Sequence, residues 1–172
     1  MPVADVSIRN ARREDLAAIS AVERAAGQLL LEWRDRLTLD DGEPTPDAEL
    51  RSAIDRGDIF VAVDEEDAPI GFAHLETVDG QAHLAEIDVD PAHGRKGIGR
   101  AMLEHVARAA RERGYVALTL TTFREVPWNR PFYESAGFVV TEPAGPGMNA
   151  VIAQEENWGL DFSERCVMRR EL

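Results

Sequence analysis

The chain has 172 residues, a single cysteine, 44% hydrophobic residues and a formal charge of −13. That length and apolar content suit one domain spanning 1–172 with a sizeable core, and the acidic balance argues against general nucleic-acid binding, which needs a basic stripe. No apolar run nears the roughly 20 residues of a membrane helix, residues 1–5 are not built like a signal peptide, and Cys166 can close no internal disulfide and supplies no metal cluster. The expectation is a cytoplasmic protein with neither a membrane nor a metal partner.

Residues 6–9 read as a first strand. Leu16, Ile19, Val22 and Ala26 recur at helical spacing and predict a helix over 15–26 that ends near Gly27. Residues 28–39 read as a second helix, 40–46 as a loop by their turn residues, and 47–56 as a short helix stopped by Gly57. Strands follow at 59–63, 70–78 and 82–89, the last two forming a hairpin about Asp79-Gly80. Met102, Leu103, Val106 and Ala110 mark a helix over 99–113, closed by Gly114. Alternation at Val116, Leu118 and Leu120 gives a strand. A helix at 129–136, a strand from 138, a loop at 143–147, a helix at 149–158 and a closing strand at 166–169 complete the chain. Strands broken by helices in this order suit a mixed α/β fold. Cys166 opens an apolar run and reads as a buried thiol.

The most informative stretch is Asp88-Val-Asp-Pro-Ala-His-Gly-Arg-Lys-Gly-Ile-Gly-Arg100, where a strand ends, a glycine-rich turn follows and a helix begins. Glycines let the backbone approach a ligand closely. The unpaired N–H groups and positive dipole end of the helix attract anions. Arg95, Lys96 and Arg100 add positive charge, so a phosphate-bearing ligand is expected. The stretch holds no Gly-x-x-x-x-Gly-Lys-Ser/Thr, and Gly94-x-x-Gly-x-Gly99 is not Gly-x-Gly-x-x-Gly, so neither a P-loop nor a dinucleotide fold is indicated.

The run resembles motif A of the GNAT acetyltransferases, Gln/Arg-x-x-Gly-x-Gly/Ala, which grips the pyrophosphate of acetyl-CoA. Gly97 and Gly99 match its last two positions; Gly94 departs from the first, and Arg95 follows it. The later run Pro127-Trp-Asn-Arg-Pro-Phe-Tyr-Glu-Ser-Ala-Gly-Phe138 resembles motif B of the same family at Asn129, Tyr133, Gly137 and Phe138. With the amino-terminal half, the resemblance covers roughly residues 5–172. It implies a central mixed, mostly antiparallel sheet, splayed between strands four and five and flanked by helices.

The resemblance further implies acetyl-CoA as acyl donor and a primary amine of a small molecule as acceptor, attacked directly in a ternary complex. The main chain of Ile87, Asp88 and Val89 would hold the pantetheine arm. Gly94, Arg95, Lys96, Gly97, Ile98, Gly99 and Arg100 would hold the pyrophosphate, with Asn129 and Tyr133 also at the cofactor. Tyr133 corresponds to a tyrosine that protonates the departing thiolate, a role open to a phenol at neutral pH; the less favoured reading is an aromatic packed on the sheet. Glu86 is the first choice for the base, with Asp88, His83 and Glu32 as rivals. Which of them share a face depends on whether the strand bulges. Trp128 and Phe132 read as packing groups. Glu32, Trp33, Phe123 and Trp158, with Leu30, are the acceptor-side candidates, since a carboxylate and aromatic faces attract cations. Residues 121–124 border the same cleft. The alternatives are a protein lysine or N-terminal acetyltransferase, or a regulatory module that binds acyl-CoA without catalysis. The resemblance is also compatible with a homodimer.

Overall fold

A computed structural model describes residues 6–37 and 44–172. Seven strands form one sheet in the order β1-β2-β3-β4-β5-β7-β6. They are β1 (Ser7–Asn10), β2 (Ile59–Val63), β3 (Pro69–Val78), β4 (Gln81–Val89), β5 (Ala117–Phe123), β6 (Val139–Thr141) and β7 (Arg165–Glu171). All neighbours are antiparallel except β4 and β5. The helices are α1 (Leu16–Gly27), α2 (Asp47–Arg56), α3 (Ile98–Glu112), α4 (Arg130–Ser135) and α5 (Pro146–Asn157).

The β3–β4 hairpin turns where the sequence indicates. Asp79 and Gly80 both take positive φ, 50° and 74°, the two-residue turn whose twist matches the flanking strands. The Asp79 carboxylate also accepts from the main-chain N–H of Gly147 and of Met148, each at 2.8 Å, at the start of α5. A Cβ on Gly145 would lie 2.5 Å from an Asp79 carboxylate oxygen, so only glycine lets the hairpin reach that helix end. This contact starts α5 at Pro146 rather than at residue 149, inside the stretch that its Pro and Gly content marks as loop.

Two cores lie on opposite faces of the sheet. On one, α3 buries Ile98, Met102, Leu103, Val106, Ala107 and Ala110 against strand residues such as Leu84, Leu118, Leu120 and Met168, joined by Tyr133 and Phe138. The spacing gives α3 one continuous apolar stripe, and each large side chain so buried contributes about 1.5–3 kcal/mol. On the other face, α1 and α2 cover Ile59, Val61, Val63 and Phe72, and α5 covers Val78 and Val167. Cys166 is 1% exposed. The second predicted helix is a 3-10 segment, Gln28–Trp33, followed by turn residues; its predicted end at 38–39 and most of the predicted loop, 40–43, lie outside the described residues.

Two irregularities of β4 shape the site. Leu75 pairs with Leu84 but His74 pairs with Glu86, so Ala85 is an extra residue on β4 and forms a bulge. Before it, Ala82 and Leu84 face the α3 core; after it, Ile87 and Val89 do. Glu86 and Asp88 therefore face the α1 side, opposite His74 and Phe72. In addition, β4 and β5 pair only at Ala82–Leu118 and His83–Thr119. Beyond these residues the two strands part, which is the splay the resemblance implies.

Candidate active site

The turn after β4 is held open by its own hydrogen bonds. Asp90 Oδ1 accepts from Ala92 N at 2.9 Å, and Gly94 N donates to Pro91 O at 3.1 Å. The chain then enters the left-handed region at Arg95 (φ 62°) and Gly97 (φ 80°). For Arg95 this conformation costs about 1 kcal/mol, strain of the kind found at ligand clamps. Among the described residues the N–H groups of 95–100 have no main-chain partner; Ala101 N is the first to bond back, to Gly97 O at 3.0 Å. Consecutive free N–H groups leading into the positive end of a 15-residue helix make an anion-binding concavity. It fits the pyrophosphate of a nucleotide cofactor.

The side chains of this loop divide. Gly94, Arg95, Lys96 and Gly97 are exposed. Ile98 is buried in the α3 core, so it offers the loop only its main chain. A Cβ on Gly99 would meet Phe132 and Val89 at an ordinary 3.8 Å, so packing within the protein does not demand glycine there. Gly94 has φ −61°, open to any residue, but a Cβ would lie 3.2 Å from Pro91 O. Arg100 turns toward α4: its guanidinium donates to Ser135 O at 3.1 Å and to Ser135 Oγ, and stacks 5.2 Å from the Phe132 ring centre.

Where β4 leaves β5, the bulge sets Glu86 and Asp88 side by side. Their carboxyl groups share a hydrogen bond. Burial, with the charge of Glu23 on α1 added, pushes the Asp88 carboxyl up to about 7, the bond from Glu86 opposing. Asp88 keeps part of its surface accessible. Glu23 itself accepts from Thr45 N and Thr45 Oγ1, both at 2.8 Å, through one oxygen, while the other is buried without a hydrogen-bond partner. Tyr133 comes from the other face. It packs edge-on against Phe132 and Phe138, with ring centres 5.2 and 5.7 Å away. Burial first, and then the charge of Asp88, holds its phenol proton well above the ordinary range; Arg165 opposes. The charge of a group on one face of the sheet thus reaches a group on the other.

The remaining candidates fall into three places. His83 is buried; its Nδ1 lies 2.9 Å from Thr119 Oγ1, which donates to Ala82 O at 3.3 Å. Nδ1 therefore carries the proton, and burial, with His74 nearby, pushes the imidazole down to about 4. Trp33 and Phe123 meet in one apolar cluster with Leu30, Leu37, Val126 and Leu160, and Trp128 packs edge-on to Trp33 at 6.1 Å. Glu32 is exposed. Trp158, 57% exposed, belongs to none of the apolar clusters; its neighbour Leu160 reaches the Trp33 cluster instead. Asn129 occupies the residue before α4 without a side-chain capping bond. A cavity of about 490 Å³ opens beside the cluster, lined by Trp33, Arg36, Leu37, Arg124, Glu125, Ser163 and Glu164.

One polar group at the site has no sequence motif. Arg165 donates to both Glu155 oxygens, each at 3.1 Å, and to Thr121 Oγ1 at 3.2 Å, and lies 4.6 Å from the Phe123 ring centre. It joins α5, β5 and β7 and brings a positive charge within reach of Tyr133. Glu23 likewise carries no signal beyond its place beside the apolar stripe of α1.

Comparison with known proteins agrees with this geometry. Residues 28–138 match the Acetyltransferase (GNAT) family. The chain is 32% identical over 139 residues to the peptidyl-lysine N-acetyltransferase YjaB of Escherichia coli K12, covering 79% of this chain and 84% of that one. It is 39% identical over 67 residues to the ribosomal protein bS18-alanine N-acetyltransferase of the same organism, 39% and 45% of the two chains. Its fold superposes on the PaiA N-acetyltransferase of Thermoplasma acidophilum in complex with coenzyme A, with a TM-score of 0.68 and 20% identity over 98% of this chain and 99% of that one. Acetyl-CoA is the acyl donor of the family so matched. On the matched span, the relatives and the fold, the chain belongs to the GNAT acetyltransferase family.

Proposed function

We propose that this chain works as one catalytic unit that moves an acetyl group from acetyl-CoA to a primary amine, by direct attack in a ternary complex. Asp88 and Glu86 hold the exchangeable proton on the acceptor side and Tyr133 is the acid. The carrying observation is the carboxyl pair on one face of β4, just beyond the point where it parts from β5, and the protonated phenol on the other face that feels the charge of Asp88.

Bound acetyl-CoA would supply the activated acyl carbonyl and a thiolate leaving group. The N–H groups of 95–100 would take its pyrophosphate, and the stretch of β4 that no longer pairs with β5, Ile87 to Val89, its pantetheine arm. An amine arrives as ammonium near neutral pH and must lose a proton before it can attack. Asp88, raised to about 7, is matched to that proton transfer, because near neutral pH it is ionised in part and its affinity for a proton exceeds that of an ordinary carboxylate. Tyr133 keeps its proton on Oη across the same range and can give it to sulfur. His83, neutral and tied to Thr119, serves to pin β4 to β5 at the last paired position.

The acceptor assigned here is the amine of a small molecule, on the size of the cavity beside Trp33. A protein lysine or chain terminus is the second reading; it is supported by the substrates for which the two E. coli relatives are named. The test is thiol release from acetyl-CoA with a panel of small amines, amino acids, lysine peptides and free N-terminal peptides. Turnover of one class assigns the acceptor. Saturable acetyl-CoA binding without thiol release from any member would make the chain a binding module.

A further inference from the structure

We propose that the cavity beside Trp33 is a subsite for a carboxylate on the acceptor, read by Arg36 and Arg124, so that the acceptor is an amino acid or short peptide rather than a simple amine. This rests on the acetyl-transfer reading above and adds to it the charge of the acceptor's far end.

The first observation is the pairing of the guanidinium groups. Many arginines of this acidic chain are held by carboxylates, as Arg113 is by Asp58 at 2.9 Å and Arg170 by Glu104 at 2.7 Å. Arg36 and Arg124 have no ion-pair partner among the described residues, and both line one cavity. Arg36 is held over the Trp33 ring, 5.4 Å from its centre. Arg124 is fixed by its main chain, whose N–H donates to Glu164 O at 2.9 Å. A guanidinium offers a planar fork that matches a carboxylate.

The second observation is the cavity itself. About 490 Å³ is within the range of small-ligand pockets, with an aromatic wall from Trp33. Glu125 and Glu164 also line it, so a bare anion is poorly matched and a ligand carrying both signs is better suited. The third observation is the connection to the reacting groups. Phe123 packs in one cluster with Trp33 and Leu37, which line the cavity, and carries Arg165 on its ring, and the charge of Arg165 reaches Tyr133. An acceptor seated on Trp33 thus has the parting of β4 and β5 within a few side chains of its amine.

The experiment compares matched acceptors, amino acids and dipeptides with a free carboxyl terminus against their carboxyl amides, at saturating acetyl-CoA. The wild type is expected to favour the carboxylate member by about tenfold in kcat/KM, the size of one charge-assisted hydrogen bond at a half-open site, with the difference in KM. Arg36→Ala with Arg124→Ala should bring that ratio to about one. Retained acetyl-CoA affinity, measured by calorimetry, shows that the variant is folded. Equal use of both members by the wild type, or an unchanged ratio in the double variant, overturns the proposal. If no acceptor is turned over, quenching of Trp fluorescence by the same pairs still decides: preferential binding of the carboxylate member, lost in the double variant, keeps the subsite while the acetyl-transfer reading fails; indifferent binding removes the subsite.

Discussion

Asp88 and Tyr133 stand on opposite faces of one sheet, and the phenol of Tyr133 still feels the charge of Asp88. Asp88 is turned toward α1 beyond the bulge at Ala85, and Tyr133 is packed among the residues under α3, where the charge of Asp88 helps to hold its proton.

The Asp88 carboxyl gives a pH dependence with a defined sign. Its proton is held more tightly in the folded state than the ordinary 3.8, up to about 7. In kcat/KM, activity should rise as pH passes through about 7 and the carboxyl ionises. Asp88→Asn should abolish that rise and lower kcat by about a hundred- to a thousandfold. In stability the sign reverses. A raised carboxyl favours the fold fully below pH 3.8 and loses that contribution as pH climbs through 7. Asp88→Asn should therefore raise the Tm at about pH 8, with the gain shrinking toward about pH 4, as thermal melts across that window will show.

Tyr133→Phe keeps the ring contacts with Phe132 and Phe138 and removes only the hydroxyl. It should lower kcat by about a hundredfold or more while calorimetric affinity for acetyl-CoA stays within about twofold. Unchanged turnover would remove the acid role. Because the phenol is raised rather than lowered, its titration should give no falling limb near neutral pH.

Gly97 starts α3 at φ 80°, where a branched side chain is strained by about 1–3 kcal/mol. Gly97→Val should weaken acetyl-CoA binding by about tenfold or more and lower the Tm, because the free N–H groups of 95–100 would be turned out of line. Lys96→Ala should instead weaken binding mildly and make it less sensitive to salt.

Glu155 and Arg165 form an ion pair with both side chains about 10% exposed. Glu155→Ala leaves the guanidinium buried and unpaired, and should destabilise the protein by about 3 kcal/mol, measured by denaturant unfolding. Replacing both by apolar residues of similar volume should restore much of the loss, which would show that the cost lies in the orphaned charge.

The legible parts of this chain are those fixed by local chemistry. Asp79-Gly80 marks its turn, the spacing of Met102, Leu103, Val106 and Ala110 marks α3, and the loop from Gly94 to Gly99 and the run ending at Phe138 carry the family resemblance. The rest depends on residues distant in the chain. Whether Glu86 or Ile87 faces α1 is decided by one extra residue opposite β3, and alternation within β4 cannot show it. The Asp79 contact that starts α5 spans 69 positions. Arg165 gains its role from Glu155 and Thr121, on two other elements. Trp158 looks like an acceptor-side aromatic by composition, yet its position at the end of α5 leaves it exposed and puts Leu160 against Trp33.

The bulge also sets the course of the strand. Ala85 is exposed and its methyl contributes little, so Ala85→Ser should pass unnoticed. Deleting the same residue would close the ladder: Leu84 and Glu86 would follow one another opposite Leu75 and His74 with no position between them. Every side chain would keep its face, Ile87 and Val89 toward α3 and Glu86 and Asp88 toward α1. What would vanish is the local bend and added twist that an extra residue gives a strand. The most silent side chain in β4 thus marks a corner, and its removal would straighten the path along which the two carboxyl groups are carried.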